Sequence, residues 1–223
     1  MTIAIGLISK KSGRSPGIVM ASDSQFTRES TKSLDSRKIS VIEFLNAEVL
    51  VAQSRTADLS NKAIEIFSKK AKGRSIECAD TPIKLAEESV REIRKHLIEV
   101  YQGCNFSDDG WRRYFKENNF DLMVGYYFER TPFLYHIDLD WCLPTRKDSC
   151  LGIGVGRDMG EFLLREYMLS EPEFEYAWVV AVSIVEKVSV NVNGCGGPTW
   201  AGIVYPLPGG NHRTEETHKQ AVF

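Results

Sequence analysis

The segment TIAIGLI, residues 2–8, constrains the fold more than any other stretch of the chain. Its short run of branched apolar residues reads as a strand. In a strand, Ile3, Ile5 and Leu7 point one way while Ala4, Gly6 and Ile8 point the other, so both faces are apolar. A strand with one wet face alternates polar with apolar; this one does not, and its sheet has to be covered on both sides.

The rest of the chain supplies the cover. GIVMAS (17–22), KISVIEF (38–44) and EVLVAQS (48–54) read as further strands. The first of these is separated from the opening strand by SKKSGRSP, a polar stretch suited to an extended hairpin loop. The period then changes from two to 3.6. Leu59, Ala63, Ile66 and Phe67 fall on one helical stripe, as do Ile83, Ala86, Val90, Ile93, Leu97 and Val100, with Thr81-Pro82 as a helix start. CNFSDDGWRRYFKENN is a polar insertion with aromatics, a loop or a short helix, whose rings would either meet another subunit or cap this chain's own core. Strands resume at 120–128, 132–139 and 150–156, two helices follow over 158–169 and 174–190, and AGIVYPL (201–207) closes the series. Runs of strands followed by runs of helices predict two stacked sheets with helices outside. The expected organisation is one domain over 1–210 and a loose polar tail over 211–223, with no internal repeat.

Composition narrows the function. The 223 residues are 43% hydrophobic and 26% charged, with a formal net charge of -2, and no basic stripe suits a nucleic acid. The five cysteines (78, 104, 142, 150, 195) form no CxxC pair, which fits free thiols in a reducing compartment. The start carries no signal-peptide pattern and no run reaches membrane-spanning length, so the expectation is a cytoplasmic protein without a membrane partner.

Most candidates for chemistry are weak. The glycines of GIGVGRDMGEF do not reproduce the spacing of a dinucleotide-binding turn, and a tight strand-to-helix turn accounts for them. His136, Asp138 and Asp140 share one side of a strand, but no other histidine lies near in sequence, and a solvated strand edge is the simpler account. No cofactor or metal is expected. The N-terminus is different, because Met before a small residue is normally removed. Removal would make Thr2 a nucleophile whose own α-amine, with a pKa of roughly 8, serves as its base. A nearby lysine would lower that pKa, and a carboxylate would hold the lysine charged. Asp23 and Lys38 are charges set among apolar strands; they suit these roles, or equally a structural ion pair at strand ends.

GIVMASDSQFT, RKISVIE and VLVAQSRTADLSNKAIEIF resemble the β-type peptidase subunits of the proteasome and of its simpler bacterial relative, with SDSQFT nearer the bacterial form. That family carries an N-terminal Thr, a G-(V/I)-(V/I)-(V/I)-A-x-D-x-(R/Q)-x-T stretch, a lysine before a V/I-x-x-I strand, and an A-G-G-x-A-D turn. The resemblance is good over 2–67, fair over 118–165 and thin afterwards. It implies the α+β, four-layer αββα sandwich of N-terminal-nucleophile hydrolases, built on two mainly antiparallel sheets. It further implies Thr2 as nucleophile, Asp23 and Lys38 as its supporting pair, and Ser54 in place of the glycine whose N–H forms the oxyanion hole. The implied activity is cleavage of peptide bonds in a peptide or unfolded protein. The implied partners are further copies of the chain, in a ring or helical stack, and an ATP-dependent unfoldase. Two departures stand against that activity. Val155 replaces the serine of the family's G-S-G, and Val192 falls at its late Asp, with Cys195 at the following serine. The alternatives are an assembly subunit without chemistry, or an amidase or acyltransferase acting on a small molecule.

Overall fold

The structure, a computed structural model, describes residues 2–11, 14–28, 31–33, 37–104, 106–147, 149–167, 174–206 and 212–219. Strands β1 (Ile3–Lys11) and β2 (Arg14–Asp23) form a hairpin. A small hairpin of β3 (Phe26–Arg28) and β4 (Thr31–Ser33) follows, then β5 (Ile39–Glu43) and β6 (Glu48–Arg55). Helices α1 (Ala57–Ala71), α2 (Thr81–Val100) and α3 (Asp108–Glu117) precede β7 (Phe120–Phe128), β8 (Thr131–Asp138), β9 (Thr145–Lys147) and β10 (Cys150–Gly154). Helices α4 (Arg157–Tyr167) and α5 (Phe174–Asn191) lead to β11 (Thr199–Pro206) and β12 (His212–Lys219).

Two five-stranded sheets result, in the orders β10-β1-β2-β11-β12 and β5-β6-β7-β8-β9, with every pairing antiparallel. They stack face to face, and helices cover both outer surfaces. This is the α+β, four-layer αββα sandwich. The opening strand shows how sequence writes the layers: Ile3, Ile5 and Leu7 pack against Leu164 of α4 and Ala181, Ile184 and Val188 of α5. Ala4 and Ile8, on the other face, meet Leu50, Met123 and Leu134 of the second sheet. On the far side Val49, Val51, Leu122 and Val124 pack under Ala63 and Phe67 of α1 and Val90 and Ile93 of α2.

Where β1 crosses the second sheet the layers close to the limit of contact. A Cβ on Gly6 would stand 2.3 Å from Met123 Sδ and 3.2 Å from Leu134 Cδ1, both in the fully buried middle layer. The position takes hydrogen because the opposite sheet occupies the space of a methyl.

Two stretches differ from the sequence-based reading, and a third, the aromatic insertion, takes the helical one of its two expected forms. The polar SKKSGRSP segment, of which residues 12 and 13 lie outside the described residues, is strand on both sides: the ladder continues to a Lys11–Arg14 pair past an irregularity between Ser9 and Lys11, and Ser9 Oγ is 3.1 Å from both N and O of Gly17. Polar residues extend a hairpin easily, because its hydrogen bonds are made by backbone. Within the loose tail predicted over 211–223, His212–Lys219 instead form β12, paired along its length with β11, while 211 and 220–223 lie outside the described residues. Its charged sequence gives no apolar alternation, and an edge strand needs none when a neighbour offers free N–H and C=O groups. The aromatic insertion forms α3, with Ser107 as N-cap accepting from Gly110 N at 3.1 Å. Its Phe115 is buried under Trp111, ring centroids 5.5 Å apart, so these aromatics cap the chain's own core.

Gly6→Val forces branched carbons against Met123 and Leu134, and overpacking of this kind costs about 1–3 kcal/mol. Gly103, with no atom within 4 Å of its Cβ position, is the control. Thermal unfolding is expected to show a clear drop for Gly6→Val and no shift for Gly103→Ala.

Candidate active site

The two sheets meet at one end around three charged or polar side chains. Thr2 leads into β1, Asp23 ends β2, and Lys38 stands immediately before β5, so the first two come from one sheet and the third from the other. All three are buried: 2% of Thr2, none of Asp23 and 4% of Lys38 is exposed. Lys38 Nζ lies 2.7 Å from Asp23 Oδ1 and also donates to Thr2 Oγ1 and to the Gln25 carbonyl. Thr2 Oγ1 donates to Asp23 Oδ1, which accepts Ile3 N–H as well at 3.1 Å.

The second carboxylate oxygen of Asp23 is satisfied by backbone: Gly196 N–H donates to Asp23 Oδ2 at 2.8 Å, and Gln25 N–H donates to Gly196 O at 2.7 Å. A Cβ on Gly196 would sit 2.5 Å from Gln25 Oε1. This contact is missing from the sequence-based list, and its trace in the sequence is the glycine cluster NGCGG. A buried carboxylate with Lys38, Thr2 and two backbone N–H groups around it is well compensated. Burial pushes the Lys38 ammonium below the usual lysine pKa, against the opposing pull of the Asp23 charge and hydrogen bond.

Thr2 itself is held by close backbone approach. Gly154, at the end of β10, pairs with Ile3 and has φ +92°, and a Cβ there would collide with the Thr2 carbonyl at 2.2 Å. Val155, next in sequence, is a half-exposed turn residue. Val192 packs against the layer under α5 rather than reaching Asp23. Cys195 is buried within electrostatic range of Asp23 and Lys38, while Asn191 donates to Lys187 O at 2.7 Å on the exposed side of α5. Burial first, then the Asp23 charge, raises the Cys195 thiol to about 11.

Beside Thr2 opens a cavity of about 150 Å³, lined by Arg37, Lys38, Gln53, Ser54 and Arg55, and by the first turns of α1 at Ala57, Asp58, Ser60 and Asn61. Among the described residues its apolar lining is Ala57 alone. Ser54 is thus on the cavity wall with Thr2, and its hydroxyl donates to Asp121 Oδ2 at 2.9 Å. The residue in left-handed backbone at this turn is Arg55 (φ 68°), not Ser54. His136 lies 3.1 Å from Asp121 Oδ1, and Asp138 Oδ1 accepts from Trp141 N at 2.7 Å, so the polar side of β8 is spent within the chain. Among the described residues no three His, Cys, Asp or Glu side chains gather as a metal-binding group, and no helix is long and apolar enough to cross a membrane.

No protein-family model matches this sequence, and no curated protein does either. Solved structures do match in shape. Anbu from Pseudomonas aeruginosa, solved as a helical assembly, superposes with a TM-score of 0.75 at 15% identity, over 99% of this chain and 87% of that one. A Gly-1 mutant of Anbu from Hyphomicrobium sp. strain MC1 gives 0.72 at 13%, over 99% and 88%. Anbu from Yersinia bercovieri, described as an ancestral beta-subunit, gives 0.70 at 14%, over 98% and 88%. The likeness is one of fold. It extends over nearly the whole chain, including the C-terminal part where the sequence resemblance thins.

Two outcomes follow from the geometry. Lys38→Ala strips the buried Asp23 carboxylate of its counter-charge, and breaking a buried pair costs about 3–5 kcal/mol; urea unfolding at pH 7 is expected to register that loss. Brief iodoacetamide treatment at pH 8 is expected to alkylate exposed Cys78, whose thiol is lowered by hydrogen bonds from Thr81 and the Asp80 backbone, and to spare Cys195. Peptide mass mapping distinguishes the two sites.

Proposed function

We propose that the chain is an N-terminal threonine hydrolase that cleaves peptide bonds once Met1 is removed. The observation that carries this reading is the buried contact of Thr2 Oγ1 with Lys38 and Asp23 at the edge of an open cavity. While Met1 is attached, the Thr2 nitrogen is an amide and cannot act as a base. Its removal frees an amine of pKa roughly 8, and the adjacent Lys38 charge favours the neutral form.

In the proposed reaction Thr2 Oγ attacks the substrate carbonyl carbon and its proton passes to the Thr2 amine, directly or through one water. The Ser54 N–H donates to the oxyanion that forms. The leaving amine takes the proton as the C–N bond breaks, and water then hydrolyses the ester on Thr2. Asp23 holds Lys38 charged and oriented and takes no proton itself.

Assembly with further copies of the chain is part of this reading. It is supported by the helical assembly of the Pseudomonas protein and by the exposed apolar residues Phe162, Val179 and Val190 on α4 and α5. An ATP-dependent unfoldase and a cytoplasmic location belong to it as expectations. The second reading, an assembly subunit without chemistry, is favoured by Val155 and Val192, which bring no polar group to the far side of Thr2. An amidase or acyltransferase acting on a small molecule would use the same three residues with a different occupant of the polar cavity.

Intact mass and a β-lactone label separate the readings. The hydrolase is expected to lack Met1 and to gain one adduct on Thr2. Thr2→Ala is expected to lose peptide turnover by at least about a thousandfold, because the attacking oxygen is gone and the α-amine that remains has no hydroxyl to activate. A Met-free chain that takes no adduct and cleaves nothing is the assembly subunit.

A further inference from the structure

The turn from β6 into α1 carries Ser54 and Arg55 where the resembling family has two glycines. Arg55 adopts φ 68°, a conformation that glycine takes freely and a residue with a side chain resists. Something has to hold it there. One buried carboxylate touches both turn residues: Asp121 Oδ2 accepts Ser54 Oγ–H at 2.9 Å and Arg55 Nε–H at 2.7 Å. Its other oxygen meets His136 Nε2 at 3.1 Å.

These contacts cross three adjacent strands, since Ser54 of β6 lies opposite Asp121 of β7, and His136 of β8 is two register positions away, opposite Met123. Asp121 and Ser54 are buried and His136 nearly so, while Arg55 is partly open to the cavity that also meets Thr2. Burial alone would raise the Asp121 carboxyl, but the His136 hydrogen bond, the charges of Arg55 and His136 and the Ser54 hydrogen bond outweigh it and keep it below the ordinary value. An ionised carboxylate with this many donors is a fixed post. It stands behind the turn that lines the cavity together with Thr2.

We propose that Asp121 is a positioning residue that clamps the Ser54–Arg55 turn, so that Ser54 presents its backbone to the carbonyl being attacked at Thr2. The clamp does the work that two glycines do elsewhere: it imposes by side-chain contacts a backbone shape that glycine reaches unaided. This rests on the reading of Thr2 as nucleophile and of Ser54 as oxyanion donor, but the clamp has a signature of its own.

The test is Asp121→Asn, alone and combined with Arg55→Gly, in the Met-free protein. Asp121→Asn is expected to lower kcat about tenfold with KM within about twofold, as for a misplaced transition-state donor, and to leave β-lactone labelling of Thr2 stoichiometric. Amide hydrogen exchange over residues 54–57 is expected to quicken about tenfold, with the β1 and β7 cores unchanged. Adding Arg55→Gly removes the strain the clamp opposes and is expected to return both readouts most of the way to wild type. Should Asp121→Asn fail to fold, Ser54→Ala removes a single link and is expected to show the same pattern at smaller amplitude. Unchanged exchange at 54–57, or a loss that Arg55→Gly does not relieve, overturns the proposal. If the wild-type chain neither labels nor cleaves peptide, the hydrolase reading falls, and the exchange data alone still decide whether Asp121 holds the turn.

Discussion

A buried ion pair between two sheets organises this molecule. Asp23 and Lys38 lie 2.7 Å apart, one at the end of β2 and the other at the start of β5, with almost no contact with water. Charges in such a place are tolerated only when their remaining hydrogen-bonding capacity is filled. Here Thr2, the Gln25 carbonyl and the Ile3 and Gly196 amides fill it. The pair therefore fixes four chain segments relative to one another, and the threonine between its members is held as a by-product of satisfying it. Structure and proposed chemistry rest on the same contacts.

The middle layer determines how near the sheets can come. Gly6 on one sheet lies against Met123 on the other, and Gly125 lies in the same way against Met20, whose Cε would be 2.6 Å from an added Cβ. Each sheet thus leaves a gap where the other puts a flexible thioether. Close approach in this layer is what lets Lys38 reach across to Thr2 at its edge.

Against that rigid centre, the rim of the site departs from the resembling family. Val155 is half-exposed and Val192 is a partly buried apolar residue packed on the layer under α5, so neither side chain offers a hydrogen bond to Thr2, while burial raises the Cys195 thiol. On the opposite side, Asp121, His136 and Arg55 form a charged network beside the cavity. The polar side chains of the site thus gather at the β6–α1 turn.

Much of this was legible in sequence, for identifiable reasons. A strand apolar on both faces required covered sheets, and the switch from a period of two to 3.6 placed α1 and α2 close to where they lie. Asp23 and Lys38 stood out because charges embedded in apolar strands need partners. The sequence carried little sign of contacts made by backbone or between residues distant in the chain. The β1–β2 extension and β12 are polar segments ordered by ladder hydrogen bonds, which leave no side-chain pattern. Gly196 meets Asp23 across 173 positions through its N–H alone. Asp121 reads as one more strand residue until β6 and β8 are laid beside it. Sequence by itself determined which faces are buried and which charges must be paired, because burial and period act along the chain. Only the tertiary structure decided which groups pair, because that depends on the register and stacking of strands far apart in sequence.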